Sequence, residues 1–109
     1  MELMDELILC DDKSERVWVI VSATIKEGCL EVFGHDLGDA PSEYFGRCEF
    51  EYWYKFNKIN TEKLIECLTR DNDDLRKALL DNFSGLAGCK NLIKYCEEND
   101  IEYQYMSWW

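Results

Sequence analysis

Glu49-Phe50-Glu51-Tyr52-Trp53-Tyr54-Lys55-Phe56 is the stretch on which the fold turns. Successive side chains of a strand point to opposite faces. Phe50, Tyr52, Tyr54 and Phe56 therefore share one side, and Glu49, Glu51, Trp53 and Lys55 share the other. One side goes to a core and the other meets solvent or a partner; the alternation leaves open which of the two a helical layer covers.

Reading outward toward the N-terminus, the chain stays in strand pattern. Leu7-Ile8-Leu9-Cys10 is apolar, and Asp11-Asp12-Lys13-Ser14-Glu15 reads as a polar turn. Arg16 to Ile25 is the clearest strand, rich in the β-formers Val17, Trp18, Val19, Ile20 and Val21. Both of its faces are largely apolar, which suits a central strand covered on at least one side. Lys26-Glu27-Gly28 is a short turn, and Cys29 to Phe33 returns as the second arm of a hairpin. The only proline, Pro41, falls in the loop before Glu49.

Toward the C-terminus the period becomes helical. Asn60 or Thr61 is positioned to cap a helix with Leu64, Cys67 and Leu68 on one side. Asp71, Asn72, Asp73 and Asp74 supply a cap and first-turn acids for a second helix, with the apolar stripe Leu75, Ala78, Leu79 and Phe83. A third helix, over about 86–98, sets Leu86, Cys89, Ile93 and Cys96 at helical spacing. Asn99 reads as its left-handed stop, with Ile101 just beyond to make the hydrophobic contact of such a cap. Ile101, Tyr103 and Tyr105 then alternate as a last strand ending in Ser107-Trp108-Trp109. The order β-β-β-β-α-α-α-β predicts an α+β class: one domain over residues 1–109 whose three short helices pack on one face of a mostly antiparallel sheet of four or five strands.

Charge narrows the function classes. Twenty-three acidic residues face twelve basic ones, for a formal net charge of −11 in 109 residues. Such a surface repels phosphates and anionic membranes and attracts basic proteins. Neither nucleic acid nor membrane is expected as a partner. The six cysteines, Cys10, Cys29, Cys48, Cys67, Cys89 and Cys96, include no Cys-x-x-Cys pair, and His35 is the only histidine. That combination gives little support to a structural zinc site. The opening Met1-Glu2-Leu3-Met4-Asp5-Glu6 lacks the basic and apolar regions of a signal peptide, so reduced, mostly buried thiols in a cytoplasmic protein are expected.

Candidate chemistry is sparse. Gly34-His35-Asp36-Leu37-Gly38-Asp39 gathers one imidazole and two carboxylates, with Glu43 nearby, and such hard ligands suit a divalent ion or acid–base work. The plainer reading is a turn, with glycines supplying unusual backbone angles and Asp36 bonding local amides. A cysteine nucleophile needs a neighbouring base, and His35 is the only imidazole to provide one. No serine stands in a Gly-x-Ser-x-Gly context, and no phosphate loop or dinucleotide fingerprint is present. Trp53 among Glu49, Glu51 and Lys55 is the better lead. A tryptophan supplies contact area while carboxylates steer a cationic partner.

Gly34-His35-Asp36-Leu37-Gly38, Tyr44-Phe45-Gly46, Glu49-Phe50-Glu51-Tyr52-Trp53-Tyr54 and the ending Ile101-Glu102-Tyr103-Gln104-Tyr105 together span most of the chain. In these motifs it resembles a group of small uncharacterised bacterial proteins with a Gly-x-Asp-Leu-Gly turn, a Phe-Gly step and a Glu-Tyr-rich strand. The group is similar in style to immunity proteins that neutralise bacterial toxins. His35 stands where a polar amide is commoner, which argues against a catalytic role for it. The resemblance implies an acidic cytoplasmic protein that binds a basic toxin, such as a nuclease, directly. Residues expected at that interface are Asp36, Asp39, Glu43, Glu49, Glu51 and Trp53; no catalytic residue, metal or cofactor is expected. Two alternatives stand beside it: a small metal-dependent hydrolase built on the loop of His35, Asp36 and Asp39, and a structural subunit that forms a homodimer through Trp108 and Trp109.

Overall fold

Five antiparallel strands lie side by side in chain order: β1 (Met4–Lys13), β2 (Val17–Lys26), β3 (Cys29–Gly38), β4 (Glu49–Lys55) and β5 (Gln104–Trp108). Between β4 and β5 run three helices, α1 (Lys58–Leu68), α2 (Leu75–Phe83) and α3 (Gly88–Glu98). The computed structural model describes residues 4–15, 17–38, 49–70 and 74–108. This is the α+β arrangement that the hydrophobic periods predict.

Strand lengths differ from the sequence reading in two places. Asp11, Asp12 and Lys13 are not a turn; they pair with Ile20, Val19 and Trp18 and extend β1. Polar residues are tolerated there because β1 is an edge strand. Gly34-His35-Asp36-Leu37-Gly38 is likewise not a turn but the second half of β3, laddered to β2 from Gly34↔Val21 to Gly38↔Val17. The long apolar run of β2 offers ten residues to pair with, so β3 continues through its glycines. The β2–β3 connection is tight: Glu27 (φ 53°) and Gly28 (φ 79°) are both left-handed. Two such residues make the hairpin turn whose twist matches that of the strands it joins.

The helices cover the face that bears Tyr52, Tyr54 and Phe56. These residues join Val21, Ala23, Ile25, Leu30 and Val32 from the sheet and Leu64, Leu68, Ala78, Leu79, Phe83, Leu92 and Cys96 from the helices in one buried cluster. Gly34 is required at its position by a close approach: the Tyr52 ring of β4 occupies the space in which a β-carbon would sit. The Tyr52 hydroxyl then donates to Asp36 Oδ1 at 3.3 Å.

Helix α1 begins earlier than expected. Asn57, not Asn60 or Thr61, is its cap, with the side-chain oxygen accepting from Asn60 N–H at 2.8 Å. Thr61 is instead buried inside the first turn. Its hydroxyl accepts from Leu30 N–H at 2.9 Å and donates to the Phe56 carbonyl at 3.4 Å, tying the helix to β3 and to the residue that follows β4. Asn60 reaches further along the chain, its Oδ1 accepting from Glu102 N–H at 2.9 Å. In α3 the deepest residues are Gly88, Leu92 and Cys96, while Ile93 is half-buried and Leu86 precedes the helix and is exposed. The helix is rotated from its expected stripe because Gly88 lies against the Phe83 carbonyl, where a side chain has no room. Its left-handed terminator is Asp100 (φ 54°), one residue past Asn99, and Ile101 N–H bonds back to the Cys96 carbonyl at 2.9 Å.

Candidate protein-binding face

Among the described residues no helix lies against the second face of the sheet. Following the register from strand to strand gives its contents row by row. One row runs Ile8, Ser22, Phe33, Trp53, Met106 across all five strands. The next runs Asp11, Ile20, His35, Glu51, Trp108, and a third Lys13, Trp18, Leu37, Glu49. On the other side of the first row stand Thr24, Glu31, Lys55 and Gln104. The result is an apolar and aromatic band bordered by charge. Phe33 and Trp53 pack at 5.3 Å between ring centroids, and Phe33 and His35 at 5.9 Å. Ile8, Met106 and Trp108 remain 44 %, 42 % and 56 % exposed at its ends. Exposed apolar patches of this kind mark interaction surfaces more often than isolated exposed residues do.

The charges at the border are organised by pairs. His35 Nε2 lies 3.3 Å from Glu49 Oε2, and Lys55 Nζ 3.7 Å from Glu31 Oε1. Trp18 Nε1–H donates to Asp11 Oδ1 at 2.6 Å, and Lys13 Nζ sits 5.1 Å above the Trp18 ring. Glu51 has no cationic partner among the described residues. The carboxylates are not confined to this face. Glu62, Glu66, Glu97 and Glu98 stand exposed on α1 and α3, so the negative field surrounds the molecule and is not concentrated on the band.

Three of the six expected interface residues, Glu49, Glu51 and Trp53, come together on this face. Asp36 does not: it projects to the helix side, half-buried, because it is one residue from His35 in a strand. Burial raises its pKa, opposed by the Tyr52 hydrogen bond and the charge of His35. Asp39 and Glu43 lie outside the described residues, as do Cys48, Pro41 and Trp109. The same alternation separates His35 from Asp36 by the thickness of the sheet, so these two do not converge on one ion. Among the described residues no group of three or more histidine, cysteine or carboxylate side chains is placed to hold a metal.

Burial holds two thiols of the helix side above the ordinary thiol range. Cys96 is pushed up to about 12 by burial, and Cys89 to about 11 by burial with Asp36 and Cys10 adding to it. Such thiols are poor nucleophiles at neutral pH. Cys10 and Cys96 are buried and Cys67 and Cys89 half-buried, as expected, but Cys29 is exposed beside the β2–β3 turn. No helix of the described residues is long and apolar enough to cross a membrane.

An open cleft of about 540 Å³ lies between the β2–β3 turn, the end of β4 and the start of α1. Part of its polar lining is already engaged: Asn57 caps α1, Asn60 holds Glu102 and Lys55 pairs with Glu31. Sequence reasoning missed Trp18, Phe33, Met106 and Trp108 as members of the aromatic face. The signal was present in β2 and β3, where residues two apart recur as apolar. A strand ended at Phe33 hides the rows that run through His35 and Leu37.

Comparison of the chain with protein-family models, with curated proteins and with solved structures finds no match to any.

Proposed function

We propose that this chain is an acidic binding protein that docks a positively charged protein on the helix-free face of its sheet, in the manner of an immunity protein neutralising a basic toxin such as a nuclease. The observation that carries the reading is the band Phe33–Trp53–Met106, uncovered by any helix of the described residues and bordered by Glu49 and Glu51. Aromatic side chains are strong anchors because they desolvate much area at low conformational cost, and carboxylates at the rim accelerate encounter with a cationic surface. The surrounding charge of −11 adds long-range steering. The resemblance to small bacterial proteins of immunity style, and the cytoplasmic location that goes with it, belong to the same proposal.

The test is co-production with whatever basic toxin domain the neighbouring genes encode, followed by association kinetics with the purified domain; neighbouring genes that encode none count against the reading. Wild-type chain restores growth. Reversing Glu49 and Glu51 to lysine slows association by about tenfold at low salt and much less at high salt, since screening removes the rim term. Trp53→Ala accelerates dissociation by roughly thirtyfold, as expected for an anchor worth about 2 kcal/mol. Unchanged association in both buffers, or growth not restored, removes the reading.

A further inference from the structure

The two edges of the sheet are built differently. β1 carries Asp5, Glu6, Asp11, Asp12 and Lys13, and its ladder to β2 is interrupted by irregularities between Met4 and Leu7 and between Ile8 and Cys10. Charge and bulges are the usual protection of an edge against pairing with another chain. β5 has neither. Gln104-Tyr105-Met106-Ser107-Trp108 contains no charged residue and no proline, and its ladder to β4 is regular from Lys55↔Gln104 to Glu51↔Trp108. All five residues are exposed, and among the described residues no strand lies beyond it.

In a chain of net charge −11, most surfaces repel a second copy. β5 is the uncharged exception, and its pattern is self-complementary. In an antiparallel pair centred on Met106, Gln104 of one copy faces Trp108 of the other and Tyr105 faces Ser107. Each residue keeps its own face of the sheet, because Gln104, Met106 and Trp108 all belong to the helix-free side. The row Ile8–Ser22–Phe33–Trp53–Met106 then runs on through the second Met106 into the second copy. The antiparallel sense also brings Lys55 of one copy into the same cross-strand row as Glu51 of the other. They stand three strand spacings apart, roughly 14 Å, too far to hold the copies together through screening salt.

We propose that β5 is a self-pairing edge, at which two copies of this chain join antiparallel about Met106 into one continuous sheet. Sedimentation of the full chain in reducing buffer tests this. Wild type is a reversible dimer in the micromolar range. Met106→Lys and Met106→Glu each set like charges face to face across the two-fold axis and weaken dimerisation at least about tenfold. An equimolar mixture of the two variants restores the dimer, because each lysine then meets a glutamate. Hydrogen exchange on wild type alone adds a readout independent of any variant's folding: amide protection over 104–108 rises with protein concentration. A wild type that stays monomeric, a Met106→Lys variant that dimerises as wild type does, or concentration-dependent protection located elsewhere overturns the proposal. So does a chain whose β5 amides gain protection only when a basic protein is added, since the edge then receives a partner's strand.

Discussion

The two faces of this sheet are made from the same kinds of residue and end in opposite states. Tyr52 and Tyr54 on one side are buried beneath three helices; Trp53 between them, on the other side, packs on its cross-strand neighbour Phe33 and stays half-buried. Period-two alternation distributes aromatic residues to both faces, and burial follows from whether a second layer arrives. The helix side adds devices that the open side lacks: a glycine that admits a ring, and a threonine hydroxyl that satisfies a strand amide. Aromatic content therefore does not separate core from display, whereas the presence of such fitted contacts does.

Substitutions on the two faces put that contrast at risk. The largest effect is expected from Gly34→Ala. The new methyl group falls within the Tyr52 ring, which must swing away and release Asp36. Overpacking of this kind costs about 3 kcal/mol, read as a lower urea midpoint with unchanged slope. A loss below about 1 kcal/mol would mean the helix side is as accommodating as the open one. Next comes Thr61→Val, which keeps the shape and removes the hydroxyl that accepts from Leu30 N–H. A buried donor left without a partner costs about 2 kcal/mol, and exchange of the Leu30 amide accelerates. The smallest effect is on the open face. A double-mutant cycle of Phe33→Ala and Trp53→Ala returns a coupling of about 1 kcal/mol, the value for one aromatic pair. A coupling above about 2 kcal/mol would show that the band is locked into the fold and not held for display.

Much of this architecture was legible in the residues. The alternation of Glu49 to Phe56 divided the side chains correctly into two faces without saying which one the helices cover, and the change from period two to period 3.6 after Phe56 located the helical layer. What failed was local chemistry read without its neighbours. Gly34 and Gly38 suggested a turn because glycine permits one, but the pairing offered by β2 draws β3 straight through them. Thr61 suggested a cap because threonine often is one, whereas its hydroxyl is spent on the amide of Leu30, 31 residues away in β3, and on the Phe56 carbonyl just past β4. The candidate site was half legible for the same reason: Glu49, Glu51 and Trp53 lie in one strand, while Trp18, Phe33 and Trp108 join them only through register. Asp36 was misplaced with the loop that does not exist at that position.

The hold of Asn60 on Glu102 sets an order of assembly. The backbone leading into β5 is positioned by α1, through Asn60 to the Glu102 amide and through Lys63 Nζ to the Asp100 carbonyl at 3.2 Å. These contacts join residues 37 and 42 positions apart, so a long loop must close before they form. Until α1 is wound, the C-terminal segment has no address against β4. β5 is thus expected to pair later and fray sooner than β4, which amide exchange faster over 104–108 than over 49–55 in dilute protein would show.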